Sequence, residues 1–267
     1  MVTLLLNRIV VPLGIQKPDD GISTQTMKKA IVTGATSGIG RALALKLARE
    51  DYVVGIIGRR TERLEELCRQ APGHFIIRPF DLRDYDRVEE LLNGLVIELG
   101  GLDLIIANAG VDRRNPALHL EPELETIEVN VAAFVATVDW AATYFQKQGR
   151  GHIVGVSSVA AFWANARTLA YNSSKAFEVK YLAGLYANLK PKGIHVTDIC
   201  PGFVATEMTK GRTDMFWVAS PEKVADQIYR SILKKKRIAY VSRRWRYLGW
   251  IMRILPFRLY SRLTMQS

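Results

Sequence analysis

The segment Thr33-Gly34-Ala35-Thr36-Ser37-Gly38-Ile39-Gly40 constrains this 267-residue chain more than any other. It joins an apolar run, Ala30–Thr33, that reads as a strand to a run, Arg41–Glu50, that reads as a helix. Glycines at such a junction let an anion reach backbone N–H groups. The first turn of the helix adds unpaired N–H groups and a favourable dipole, so phosphate oxygens are the expected guests. The spacing is Gly34-x3-Gly38-x-Gly40, not the G-x-G-x-x-G of the common dinucleotide fingerprint. Tight packing alone explains such a turn poorly, because three glycines stand where the chemistry requires them.

The strand–helix alternation then repeats. Tyr52–Ile57, His74–Pro79, Leu102–Ala107, His152–Val156, Ile194–Ile199 and Ile238–Val241 read as strands. Thr61–Arg69, Tyr85–Leu99, Glu123–Gln146, Ala170–Leu189 and Pro221–Leu233 read as helices. Asp84 and Ser220 are suited to cap the helices that follow them, and Pro221 takes a favoured first position. Apolar strands separated by helices predict an α/β fold: a doubly wound, parallel, seven-stranded sheet in one domain, 27–242. A hydrophobic content of 48% excludes a disordered chain. Cys68 and Cys200 lie far apart in no metal-like spacing, and are expected as buried thiols in a reducing compartment. No metal site is expected.

The two ends differ from this core. Residues 1–26 begin with an apolar run, interrupted by Asn7 and Arg8, that is too short to span a bilayer, and no small-residue cleavage site follows it, so a secretory leader is not expected. They read as an upstream extension, with Met27 as a plausible start, or as a loosely attached arm. The net charge of +11 lies wholly in the last segment. From Gln227 to Ser267 there are eleven basic residues and no acidic one, so the first 226 are formally neutral. Within 243–267, Leu248, Ile251, Met252, Leu255, Leu259 and Leu263 recur at helical steps among arginines and aromatics. This basic amphipathic helical tail, broken at Pro256, suits an anionic membrane surface. Docking on its own domain, over a cleft, or on a second subunit competes. Nucleic acid is not expected, since it gives the leucine stripe no use.

Four clusters carry candidate chemistry. At the end of the second strand stand Gly58-Arg59-Arg60, with no acid to bind ribose hydroxyls. Arginine there favours a 2′-phosphate, hence NADP(H), with Arg59 the stronger candidate. Asp81 and Leu82 follow the third strand and are expected beside the adenine, although Asp81 also suits plain turn capping. Asn108-Ala109-Gly110 follows the fourth strand, at the carboxyl end of the sheet. Ser158, Tyr171 and Lys175 form the last. Lys175 lies one helical turn beyond Tyr171 on the same face. Its ammonium favours a phenolate and so tunes the phenol as an acid or base beside a carbonyl.

These pieces together resemble the short-chain dehydrogenase/reductase family over about Lys28–Val241. The matching residues are Thr33-Gly34-x3-Gly38-Ile39-Gly40, Asn108-Ala109-Gly110, Asn130, Ser158, Tyr171-x3-Lys175 and Pro201-Gly202-x3-Thr206. Ala107 departs from the pattern, where the family usually has a first Asn. The resemblance implies a Rossmann-type fold with NADP(H) held by the glycine turn, including Thr36 and Ser37. It implies Tyr171 as acid/base and Ser158 as the group polarising the carbonyl. Ser158, rather than adjacent Ser157, stands at the family's position. Lys175 is implied to bind the nicotinamide ribose and lower the Tyr171 pKa, and Asn130 to hold a relay water. Pro201, Gly202, Val204 and Thr206 are implied at the nicotinamide end, and a homo-oligomer is implied.

The function expected is therefore an NADP(H)-dependent carbonyl reductase or alcohol dehydrogenase acting on a hydrophobic or lipid-like ketone or aldehyde. It is expected in the cytoplasm, free or peripheral to the inner face of a membrane. Phe162, Trp163, Met208, Met215, Phe216 and Trp217 are candidates for an apolar substrate wall, or for ordinary loop anchoring. Two alternatives compete. An epimerase or dehydratase of the extended superfamily is disfavoured by the glycine spacing and the short C-terminal segment. A non-catalytic, NADP(H)-binding membrane-associated protein is disfavoured by the intact Tyr171–Lys175 pair.

Overall fold

The structure, a computed structural model, describes residues 27–213, 215–242, 244–247 and 249. The extension at 1–26 and nearly all of the amphipathic tail lie outside the described residues. Along the chain run β1 (Lys28–Thr33), α1 (Gly38–Arg49), β2 (Tyr52–Gly58), α2 (Thr61–Gln70), β3 (Phe75–Pro79) and α3 (Val88–Leu99). Then come β4 (Leu104–Ala107), α4 (Leu120–Ile127), α5 (Ala133–Gln148), β5 (Gly151–Val156) and α6 (Leu169–Leu189). The described elements end with β6 (Ile194–Pro201), α7 (Pro221–Leu233) and β7 (Ile238–Val241).

The seven strands are all parallel, in the order β3-β2-β1-β4-β5-β6-β7. Side chains alternate across the sheet, and both sets are buried. Ala30, Val32, Val54, Ile56, Ile106 and Val154 meet Leu43, Leu47 and Leu64 on one face. Ile31, Ile57, Ile105, Ile153 and Val196 meet Leu92, Val138 and Leu182 on the other. Burial on both faces is why these strands are apolar runs rather than alternating ones. Strand order reverses between β1 and β4. Their carboxyl ends diverge there into a crevice, the usual ligand position in such sheets. The glycine turn opens from one side of that crevice and Asn108 from the other.

Three local expectations need correction. The helix read as Tyr85–Leu99 begins with a tighter 3₁₀ turn at Tyr85–Arg87. Asp84 makes no cap bond, because its carboxylate accepts from Arg87 Nη1 at 3.4 Å instead. The stretch read as one helix over Glu123–Gln146 is α4, a π-helical turn at Glu128–Ala132, and α5. The wider turn carries Asn130, as such bulges often carry site residues. The strand read as Leu102–Ala107 starts two residues later, at Leu104. By contrast Ser220 caps α7 as expected, its hydroxyl accepting from Lys223 N–H. Among the described residues no helix is long and apolar enough to cross a membrane.

Candidate active site

The glycine turn is built by close approach. Gly34 and Gly38 have φ of 69° and 55°, conformations that side chains resist. A methyl group on Gly34 would meet the Ala109 backbone, and one on Gly40 would overlap the Gly34 carbonyl and the Asn108 carboxamide. Asn108 Nδ2 donates to the carbonyls of Thr33 and Gly34, at 3.0 and 3.3 Å. Thr33 Oγ1 accepts from the N–H groups of Asn108 and Ala109, at 3.0 and 3.1 Å. These bonds tie the loop after β1 to the loop after β4.

A cavity of about 900 Å³ runs from this turn across the carboxyl edge of the sheet. Gly34, Thr36, Ser37, Gly38 and Ile39 line one end, with Arg59, Arg60, Asp81 and Leu82. Asn108, Ala109 and Gly110 line the middle, and Ser158, Tyr171 and Lys175 the other end, with Pro201, Gly202, Val204 and Thr206. Thr33, Gly40 and Asn130 stand behind the wall and shape it. Asn130 Oδ1 accepts from Val111 N–H at 2.8 Å, while its Nδ2 donates to Val111 O and Ser174 Oγ. A cradle in which added Cβ atoms would collide, opening on a helix N-terminus, fits a dinucleotide.

The two arginines are already engaged. Arg59 lies 3.7 Å from Asp81, whose carboxyl is held below its ordinary pKa, chiefly by the Arg83 hydrogen bond. Arg60 donates to Thr36 Oγ1 and to Glu207, the latter at 2.7 Å. Glu207 also pairs with Arg63, and so clasps the loop after β6 against the glycine turn. Sequence reasoning missed Glu207.

At the reacting end the Tyr171 phenol hydrogen-bonds Ser158 and lies near the Lys175 ammonium. Ser157 points elsewhere: its hydroxyl donates to buried Asp198 at 2.6 Å. Burial pushes the Tyr171 pKa above its ordinary value. Lys175 and the Ser158 bond oppose that rise, and Asp112 adds to it. The pull of Lys175 has the expected sign, but desolvation outweighs it, so the net direction is upward, contrary to the expectation. Lys175 Nζ donates to both carboxylate oxygens of Glu178 and to Val156 O. Burial works against the Lys175 charge, but Glu178, Tyr171 and Asp198 together outweigh it and the ammonium is more basic than usual. Glu178 itself is pushed by burial to a pKa of about 7.

The apolar wall is partly as expected. Trp163, Met208 and Phe216 line the cavity, while Phe162, Met215 and Trp217 do not. Two unforeseen residues join it: Phe203 and Trp245. Trp245 belongs to the segment after β7, is wholly buried, and packs on Phe203 and Phe216 with both centroids 5.1 Å away. Glu178 was legible as a helical neighbour of Lys175, three residues on. The reading of 243–267 as docking over a cleft allowed for Trp245, but no residue pattern singled it out.

Known proteins share this arrangement. Residues 28–216 match the family model described as short chain dehydrogenase. An uncharacterised oxidoreductase of Myxococcus xanthus is 39% identical over 193 residues, 70% of this chain and 76% of its own. A very-long-chain 3-oxoacyl-CoA reductase of Anas platyrhynchos is 28% identical over 89% of this chain and 79% of its own. The closed form of a serine dehydrogenase complexed with NADP+ superposes with a TM-score of 0.73, at 26% identity, over 79% of this chain and 93% of that one. Another chain of the same fold is known in complex with NAD. The match extends from β1 past the Tyr171–Lys175 helix into the loop after β6, and the chain belongs to the short-chain dehydrogenase family of oxidoreductases.

Proposed function

We propose that this chain is an NADP(H)-dependent carbonyl reductase for a hydrophobic, lipid-like ketone or aldehyde, with Tyr171 as its acid. One observation carries the reading. A half-buried Tyr171 phenol, bonded to Ser158 and close to Lys175, opens on the cavity that the glycine turn begins. A phenol keeps its proton at neutral pH, as a general acid must, and the Lys175 charge eases its release. The bound nicotinamide dinucleotide supplies the hydride. Ser158 donates a hydrogen bond to the carbonyl oxygen and polarises it. Tyr171 gives its proton to that oxygen as the alcohol forms. The Lys175 ammonium stabilises the phenolate left behind. In the oxidative direction the same phenolate takes the proton back.

The cofactor contacts in this reading follow the cavity. The turn from Gly34 to Ile39 holds the pyrophosphate, and Arg59 and Arg60 hold the 2′-phosphate. Asp81 and Leu82 meet the adenine. Asn108, Ala109 and Gly110 line the centre, with Asn130 behind them supporting a relay water. Lys175 holds the nicotinamide ribose, and Pro201, Gly202, Val204 and Thr206 flank the ring. The NADP+ complex of the similar serine dehydrogenase supports the phosphorylated cofactor. The aromatic wall and the similarity to a very-long-chain 3-oxoacyl-CoA reductase support a lipid-like substrate.

Two partners complete the proposal. Leu120, Leu124 and Ile127 on α4 and Phe177 on α6 are exposed, which supports a homo-oligomer contact. Light scattering tests it. The basic leucine-striped segment beyond Gly249 is assigned to an anionic membrane surface, and flotation with anionic liposomes at low salt tests that. The decisive experiment is NADPH consumption over ketones of increasing chain length. Turnover is expected to rise with chain length, and Tyr171→Phe to lose on the order of 10²- to 10⁴-fold while still binding NADPH. Unchanged turnover in Tyr171→Phe, or none with any ketone, overturns the reading.

A further inference from the structure

Two buried side-chain atoms lack a hydrogen-bond partner among the described residues: Asp112 Oδ1 and Trp245 Nε1. Both residues line the cavity that holds Ser158 and Tyr171. An unmet buried polar atom costs about 1–3 kcal/mol. In a native site such an atom marks a place that a ligand completes.

Asp112 is the more informative of the two. It stands two residues beyond Gly110, in the loop after β4, and its side chain is only 7% exposed. Its Oδ2 lies 3.6 Å from Arg212 Nη1, and Oδ1 has no donor. A methyl group on Gly110, two residues earlier, would lie 3.3 Å from Lys175 Nζ, which puts this loop at the reacting end rather than the phosphate end. The Arg212 guanidinium lies 5.6 Å from the Phe203 ring centroid, so the aromatic wall begins beside this carboxylate.

The unmet side of Asp112 narrows the choice of ligand. Burial pushes its carboxyl up in pKa, and Arg212, Arg114 and Lys175, which each pull it down, do not cancel that rise. Arg212 lies 3.6 Å from Oδ2, and no donor reaches Oδ1. What Oδ1 lacks is a hydrogen-bond donor, which a substrate hydroxyl supplies.

We infer that Asp112 is a specificity residue, whose free oxygen accepts a hydrogen bond from a hydroxyl carried near the substrate carbonyl. The preferred substrates are then hydroxy-ketones or hydroxy-aldehydes with an apolar chain lying on Trp163, Phe203, Phe216 and Trp245. The reaction named here rests on the carbonyl-reductase reading above, but the donor site does not need turnover. A site built around a buried acceptor rejects a ligand that leaves the acceptor unpaired more strongly than it rejects a change in chain length.

The test uses a matched pair, 1-hydroxyoctan-2-one and nonan-3-one, in which a methyl group of similar size replaces the hydroxyl. Binding to the full chain with saturating NADP+ is followed by quenching of tryptophan fluorescence, since Trp163 and Trp245 line the cavity. NADPH-driven turnover of both ketones is measured alongside. The hydroxy-ketone is expected to bind about tenfold or more tightly, the range of a hydrogen bond to a charged group. Asp112→Ala should erase that preference. Asp112→Asn, which keeps an acceptor oxygen and the side-chain shape, should retain part of it and guards against a folding artefact. Equal affinities, binding of neither ketone, or an undiminished preference in Asp112→Ala overturns the inference. A binding preference without Tyr171-dependent turnover sinks the reductase reading and leaves this one standing. Turnover of both ketones with no preference does the reverse.

Discussion

The Lys175 ammonium donates to both carboxylate oxygens of Glu178, at 2.8 and 3.0 Å, and the two side chains are 5% and 1% exposed. The pair lies one turn along α6 from the Tyr171 phenol. Glu178 raises the pKa of Lys175, and it also raises that of Tyr171. It therefore acts on the proton donor by its own negative charge, against the pull of the ammonium between them.

That relationship fixes the sign of a rate effect. Alcohol oxidation needs Tyr171 as phenolate, so its rate climbs with pH through the phenol's pKa. Glu178→Gln removes a negative charge that opposes phenolate formation. The midpoint of the oxidative pH–rate profile is expected to move to lower pH in Glu178→Gln. A profile that kept its midpoint and changed only in height would assign Glu178 a purely structural role.

The same carboxyl makes stability depend on pH. Its pKa is raised from the ordinary 4.5 to about 7 by burial. Between those values the unfolded chain releases the proton first. The stability linked to Glu178 is therefore fully present below pH 4.5 and lost as pH rises through about 7. In thermal unfolding at pH 5 and pH 8, wild type is expected to lose more between the two than Glu178→Gln does. Glu178→Ala should be the least stable variant. Removing one partner of a buried ion pair costs on the order of 3–5 kcal/mol, and alanine leaves a gap as well.

Cofactor choice is tested at the end of β2. Arg59 lines the cavity with its side chain 48% exposed, and Arg60 is tied to Thr36 and Glu207. A hydrogen bond to a charged group contributes about 1.5–3 kcal/mol, so Arg59→Ala is expected to raise the NADPH KM about 10- to 100-fold. The NADH KM should barely move. Arg60→Ala should raise both, because it also loosens the clasp between Thr36 and Glu207. Steady-state kinetics with the two cofactors separate these outcomes. An Arg59→Ala variant that weakens NADPH and NADH equally would remove the basis for phosphate recognition there.

Much of this was legible because it is local. Apolar runs broken by helical ones specify a sheet buried on both faces, and Ile31 and Val32 do point to opposite faces of it. The glycine turn announced itself because Gly34 and Gly40 admit close backbone approach and Gly38 takes a positive φ against Thr206. Tyr171 and Lys175 stood out through helical spacing. The same spacing offered Glu178, but a glutamate three residues from a lysine usually marks a solvated surface pair. Only the packing of α6 against β5 and β6 buries it. The π-helical turn at Asn130 was hidden, because neighbouring residue types do not distinguish it from a continuous helix. The rise in the Tyr171 pKa was hidden too, since desolvation depends on how tightly distant elements close around the phenol.

Trp245 is the far case, a residue forty-three positions beyond Gly202 that fits against it. A methyl group on Gly202 would overlap the indole, so the glycine is required by a side chain as well as by any ligand. Trp245→Ala is expected to lower stability by about 3–5 kcal/mol, the usual range for emptying a buried aromatic site. Chemical denaturation measures it. Gly202→Ala should destabilise as well, by forcing the indole out of its place among Phe203, Phe216 and Trp163. The double variant discriminates between a direct clash and two independent defects. If the clash is direct, alanine at position 202 does little further harm once the indole is gone, and the two losses are strongly less than additive. Additive losses would mean that Gly202 is needed for its backbone alone. The segment after β7 would then have to hold Trp245 in the cavity without leaning on the loop after β6.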